Sequence, residues 1–176
     1  MNIVPVKIRQ HLIPFFLKEF EGVDGQYLNM KVKACKITAE SSLGFMLLTS
    51  LQKTENPIKP DKYYVYITFS DTQTEAKIYK VEKGRNHFLR VPEEVNIKIN
   101  NLIEDQFRIA FVFHTRGMLK ASPDLLVRDA ISEFMVEYEL DESGFDLESL
   151  RRILNRGDKF KMSRLQNKIS NRVFGY

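Results

Sequence analysis

Residues 151–176 hold eight Lys or Arg (Arg151, Arg152, Arg156, Lys159, Lys161, Arg164, Lys168 and Arg172) against one acid, Asp158. This segment carries +7, whereas residues 1–150, with 19 basic and 22 acidic residues, come to −3, for +4 overall. A basic module on a mildly acidic body has the chemistry to meet a polyanion, because each Lys or Arg that reaches a phosphate releases a counterion. Arg164, Lys168 and Arg172 recur every fourth residue and would form one stripe of a helix, with Asn167 and Asn171 beside it. Arg can pair with guanine edges and Asn with adenine, each good bidentate pair being worth roughly 1–3 kcal/mol of discrimination. Arg152 and Arg156, one turn apart, suit phosphate contacts.

The same charges have a second use. Between Ser132 and Leu150 lie seven acids (Glu133, Glu137, Glu139, Asp141, Glu142, Asp146 and Glu148) and no bases. The basic segment can pair with these acids in its own chain or in a neighbouring subunit, although exposed pairs contribute only about 0–1 kcal/mol each.

A third pattern is catalytic. Pro60-Asp61 followed by Glu75-Ala76-Lys77 fits the loose Pro-Asp…Glu-x-Lys arrangement of metal-dependent nucleases. Two carboxylates would hold Mg²⁺ against a phosphate while the lysine helps activate water. The alternation in EAKIYKVEK equally describes a solvated strand face, so this reading ranks third. His11, His87 and His114 are far apart and lack zinc-ligand spacing. Two lysines flank Cys35 closely, but a half-buried strand cysteine is the simpler account. Tyr63, Tyr64 and Tyr66 have the chemistry of a stacking platform, though sheet packing explains them as well. Phe107, Phe111 and Phe113 are assigned to the core. No glycine-rich phosphate loop or nucleophile elbow is found, and no cofactor is implied.

The elements that must position these residues follow from periodicity. Residues 7–21 predict a short amphipathic helix carrying Ile8, Leu12, Phe15, Phe16 and Phe20, ended by Gly22 and Gly25. Tyr27–Ile37 predicts a strand, and Ser41 or Ser42 caps a helix to about Gln52. Lys62–Val91 predicts an antiparallel meander of KYYVYITF, EAKIYKVE and HFLRV. Pro92 with Glu93 and Glu94 opens a long helix reaching about Met118; its FRIAFVF run also fits a buried strand. Three helices follow. The first starts at Ser122-Pro123, with Leu125, Leu126, Ala130, Ile131, Phe134 and Met135 inward, and ends near Leu140. The second is capped by Asp146 and stopped by Gly157, and the third runs from Ser163 to about Phe174. That succession has the outline of a helix-turn-helix lobe.

The 176 residues, 43% apolar and 28% charged, suit a folded protein able to bury a core without disulfides or metal. One cysteine fits a reducing compartment. No run of apolar residues is long enough for a membrane span, and the N-terminal stretch does not read as a signal peptide. The expected localisation is cytoplasmic.

The run FRIAFVFHTRG, then DAISEFMVEYEL, SLRRILNR and SNRV, resembles small uncharacterised proteins carried by phages and integrated mobile elements of Bacteroides-type bacteria. The resemblance spans roughly the last 70 residues. It implies a bacterial mobile-element setting, where small DNA-binding and virion-associated proteins both occur.

The expected fold is α+β: a small antiparallel meander packed on helices in residues 1–121, followed by a basic helical lobe in residues 122–176. The expected function is non-enzymatic DNA binding. Arg164, Asn167, Lys168, Asn171 and Arg172 would lie along a groove, with Arg151, Arg152, Arg156, Lys159 and Lys161 on phosphates. The alternative is a structural or assembly protein, virion-associated if phage-borne, whose acidic and basic segments dock on neighbouring subunits, including copies of itself. No membrane partner is expected.

Overall fold

The computed structural model describes residues 3–59, 62–69 and 88–156. The fold class is α+β, as the mixed periodicities predict. The chain divides into two compact units, one of residues 1–8 with 19–99 and one of residues 9–18 with 100–176.

The first unit is built on a mixed sheet. Its strands are β1 (Val4–Lys7), β2 (Gly22–Tyr27), β3 (Met30–Ile37) and, after the short β4 (Gln52–Thr54), β5 (Tyr64–Phe69). Their order is β1-β5-β3-β2, with β1–β5 and β2–β3 antiparallel and β3–β5 parallel. Alternation sorts the two faces. Val4, Val6, Val65, Ile67, Phe69, Cys35 and Ile37 are buried on one, while Ile3, Tyr27 and Ala34 anchor a smaller apolar cluster with Val23, Val32 and Tyr66 on the other.

Some local expectations differ from the structure. The N-terminal helix is shorter than predicted: Val4–Lys7 is a strand, and helix α1 covers only Ile13–Glu19 after a 3₁₀ turn at Gln10–Leu12. Of the predicted helix's residues Lys7 is taken by β1, where its pairing with Tyr64 of β5 outweighs local helical spacing. The helix ends before Gly22, as predicted, and Gly22 and Gly25 lie within β2, paired with Cys35 and Val32. The described strands of the predicted meander pair otherwise. β5 lies between β1 and β3, and β6 (Phe88–Arg90) pairs with β4 in a separate two-stranded sheet. The EAKIYKVE segment lies outside the described residues.

Tyr27 and Met30 close the β2–β3 hairpin over a two-residue turn in which Leu28 takes φ 54°. Helix α2 (Ser42–Ser50) starts as predicted, with Ser41 Oγ accepting from the Gly44 N–H at 3.0 Å.

Helix α3 (Glu93–Ala121) opens behind Pro92 with acids in its first turn and runs through FRIAFVF, which settles that run as helix. Its residues from Asn100 onward belong to the second unit. There it is joined by α1, α4 (Val127–Glu137), a 3₁₀ turn at Leu140–Glu142, and α5 (Leu147–Asn155). Aromatic rings fill this core. Phe107, Phe111 and Phe134 are fully buried. Phe15 stands edge-on to Phe107 at 5.3 Å, Phe145 stacks on Phe107 at 4.8 Å, and Phe134 meets Phe111 at 5.1 Å. Phe113, expected in the core, is 67% exposed, because at 100° per residue it sits some 200° around the helix from Phe111. Leu126 is 66% exposed rather than inward. It is the extended residue before α4, so it does not share the helix's buried face.

Candidate nucleic-acid interface

The acidic and basic segments meet in α5. Asp146 caps it, its Oδ1 accepting from the Ser149 N–H at 2.6 Å. That hydrogen bond pulls the Asp146 carboxyl below its ordinary range. Leu150 and Leu154, four residues apart, are buried, and Leu147 and Ile153 flank them half-buried. The remaining circumference must face water, and there Arg151, Arg152, Asn155 and the following Arg156 are exposed. Arg152 and Arg156 therefore project from one side, a turn apart.

Two carboxylates of the acidic segment bear on this face within the described residues, Asp146, which senses the Arg152 charge, and Glu148. Arg152 Nε lies 3.5 Å from Glu148 Oε1, and both side chains are more than half exposed. A pair this open, four residues apart on one helix, is worth about 0.3–0.5 kcal/mol and is screened by salt, so it does not cancel the face. Elsewhere Glu137 Oε2 stands 3.7 Å from His114 Nδ1, while Glu133, Glu139 and Asp141 are exposed. Lys159, Lys161, Arg164, Asn167, Lys168, Asn171 and Arg172 lie outside the described residues, as do the Gly157 stop and the Ser163–Phe174 helix. Asp61, Glu75 and Lys77 of the nuclease pattern, and His87, lie outside them too.

A second charged assembly, in the compact unit that includes α5, is one that spacing did not reveal. Glu104 on α3 is only 12% exposed and is met by three basic side chains: His11 Nε2 at 2.7 Å and Arg9 Nη1 at 3.6 Å on Oε2, and Arg108 Nη2 at 2.7 Å on Oε1. Arg9 is fixed further by its own N–H donating to Asn100 Oδ1 and its Nη2 to Asn101 Oδ1, each at 2.7 Å. Burial alone would raise the Glu104 carboxyl, but the His11 hydrogen bond and the Arg108 charge outweigh it and bring it to about 2. Held ionised with both oxygens occupied, this carboxylate is neither a proton donor nor a ready ligand. It ties residues 9–18 to the long helix. The Glu104/Arg108 spacing hints at it in sequence, but nothing local points to Arg9 or His11.

The remaining candidates are placed as follows. Cys35 is buried in β3, and burial pushes its thiol up to about 11 despite the nearby Lys33, so it is a packing residue rather than a nucleophile. Tyr63, Tyr64 and Tyr66 are half-buried, and Tyr66 packs on Tyr27 at 5.6 Å as part of the sheet cluster. An open cavity of about 570 Å³ in the first unit is lined by Tyr64, Arg90, Glu93, Glu94 and Asn96 among others, with Arg90 Nη2 donating to Gln52 Oε1 at 3.1 Å. Among the described residues no three His, Cys, Asp or Glu converge as a metal site. No described helix is long and apolar enough to cross a membrane. Comparison with family models, curated proteins and solved structures finds no match.

Proposed function

We propose that the chain is a non-enzymatic nucleic-acid-binding protein that takes duplex DNA through its basic segment from Arg151 onward. The supporting observation is the sorting of α5, which buries Leu150 and Leu154 and leaves Arg151, Arg152 and Arg156 facing water, with only the exposed acids Glu148 and Asp146 beside Arg152. The chemistry is phosphate neutralisation, with Lys159, Lys161 and the aligned Arg164, Lys168 and Arg172 extending the charge. A phage or mobile-element protein acting in a bacterial cytoplasm fits this role. The test is duplex binding over a salt series. Salt-sensitive association is expected, and Lys168→Ala should reduce the slope of log K against log salt by about one. Absence of binding at low salt would reject the reading.

A second reading is supported by a different observation. Val136 is 70% exposed within the acidic Ser132–Leu150 segment, and Leu126, just before α4, is 66% exposed, features suited to an assembly protein docking on neighbouring subunits. Light scattering with and without DNA separates the two, since stable assemblies indifferent to DNA favour this one.

A further inference from the structure

The β2–β3 hairpin ends in a residue that turn chemistry disfavours. Leu28 and Asn29 link Tyr27 to Met30, and of the two only Leu28 has a positive φ, 54°. At the first position of a two-residue hairpin turn that conformation is the province of glycine. The chain places there a leucine that is 40% exposed, next to Met30 at 45%. Backbone preference does not account for this choice, and strain of this kind gathers at functional sites.

The arm behind this tip is braced on one side and basic on the other. β3 pairs with β5 only over Ala34–Ile37, so Met30–Lys33 and the paired Asp24–Tyr27 run on as a two-stranded arm. At the usual rise per residue it is about 13 Å long. On its packed side Tyr27 is buried, its hydroxyl donating to the Ile58 carbonyl at 3.0 Å, and Ile3 occupies the space over Gly25. On its open side Gln26 stands across from Lys31 and Asp24 across from Lys33, all four exposed. Lys31 and Lys33 make no ion pair among the described residues. From Gly22 to Ala39 the chain holds three lysines and a single acid, Asp24.

We propose that this arm is a second DNA contact, which enters the minor groove and drives Leu28 as a wedge between base pairs. Lys31 and Lys33 meet the flanking phosphates, and Gln26 and Asn29 meet base edges. The residue set fits that chemistry: Lys, Asn and Gln suit the minor groove, and an exposed Leu or Met can part a base step and kink the duplex. An arm of about 13 Å spans a groove roughly 7.5 Å deep. An anionic lipid surface would use the lysines and the apolar tip but would gain nothing from Gln26 and Asn29. The inference rests on the nucleic-acid reading above, yet its residues belong to the other compact unit.

The test is energy transfer between the labelled ends of a duplex of about 30 base pairs with an easily kinked TA step at its centre, titrated with the full chain at low salt. Transfer should rise on binding as the ends approach. With Leu28→Gly, which the turn accommodates, at least half of that rise should be lost at saturating protein, while the unfolding midpoint does not fall. Lys31→Ala with Lys33→Ala should lower the slope of log K against log salt by about two. A duplex that stays straight when bound, a bend that survives Leu28→Gly, or an unchanged slope in the lysine variant overturns the proposal and leaves the reading of the basic segment standing. No binding to DNA at all removes both. Adherence to phosphatidylserine vesicles that the lysine variant loses, with no bending of DNA, would assign the arm to a lipid surface instead.

Discussion

His11 Nε2 and Glu104 Oε2 lie 2.7 Å apart although 93 positions separate them in the chain. With Arg9 and Arg108 on the same carboxylate, they form the main charged fastening between the N-terminal residues 9–18 and α3. A carboxylate that is mostly buried and receives cations from two sides is costly to remove, because its partners then keep their desolvation cost without the attraction.

Glu104→Gln should lower stability at neutral pH by roughly 1.5–3 kcal/mol, the usual range for losing hydrogen bonds to a charged group. Urea midpoints on matched samples measure it. A variant as stable as the starting chain would show that the clamp contributes no net energy.

The same group sets an acid dependence. The Glu104 carboxyl is held at about 2 in the folded chain against an ordinary value of 4.5. A folded value below the unfolded one gives stability that is present in full above about pH 4.5 and is lost as pH falls toward 2. The shift corresponds to something on the order of 3 kcal/mol. Unfolding midpoints between about pH 6 and pH 3 should fall more steeply for the starting chain than for Glu104→Gln. Parallel curves would assign the acid sensitivity to other carboxylates.

Arg152→Ala with Arg156→Ala should shrink the salt slope of DNA binding by about two, roughly one per phosphate contact, without altering fold stability beyond about 0.5 kcal/mol. Both side chains are exposed, so a loss of binding would not reflect unfolding. An unchanged slope would place the phosphate contacts elsewhere in the basic segment.

Leu28 stands at φ 54° in the β2–β3 turn, a left-handed conformation that glycine adopts with less strain. Its side chain is 40% exposed, so truncation loses some apolar contact. Leu28→Gly should be a net gain of about 0.5 kcal/mol, visible as a higher thermal midpoint. A drop would mean that the Leu28 side chain outweighs its backbone strain.

Gly44 offers the opposite sign. Alanine favours a helix over glycine by about 1 kcal/mol, yet a Cβ at residue 44 would run into the backbone carbonyl of Thr38. Overpacking against fixed backbone should win, leaving Gly44→Ala destabilised by roughly 1–3 kcal/mol in thermal or urea unfolding. Equal or higher stability would show that the Thr38 backbone yields.

Features set by neighbours in sequence were legible there. Pro92-Glu93-Glu94 marks the start of α3, Ser41 and Asp146 cap α2 and α5, and the Leu150/Leu154 spacing turns Arg152 and Arg156 outward. Features set by distant partners were not. Lys7 fits the start of a helix until β5 pairs with it, and Phe88–Arg90 looks like the next meander strand until β4 takes it. Phe113 reads as core because FRIAFVF is apolar on every side, and only its neighbours decide which rings turn inward. The outward Arg152 and Arg156 of α5 were visible because they depend on one helix; the Glu104 clamp needs two segments that local periodicity cannot bring together.

The two compact units interleave along the chain, since residues 9–18 belong with 100–176 while 1–8 belong with 19–99. During synthesis Arg9 must therefore wait for Asn100 to emerge, roughly 5–20 s at ribosomal speed. Phe15 waits longer still, for Phe107 and then Tyr138. The N-terminal aromatics cross that interval without their final partners, as a hydrophobic segment that early folding cannot bury in its native place. Neither unit can be excised as one continuous piece, so a fragment beginning at Asn100 would carry Glu104 without two of its three basic partners.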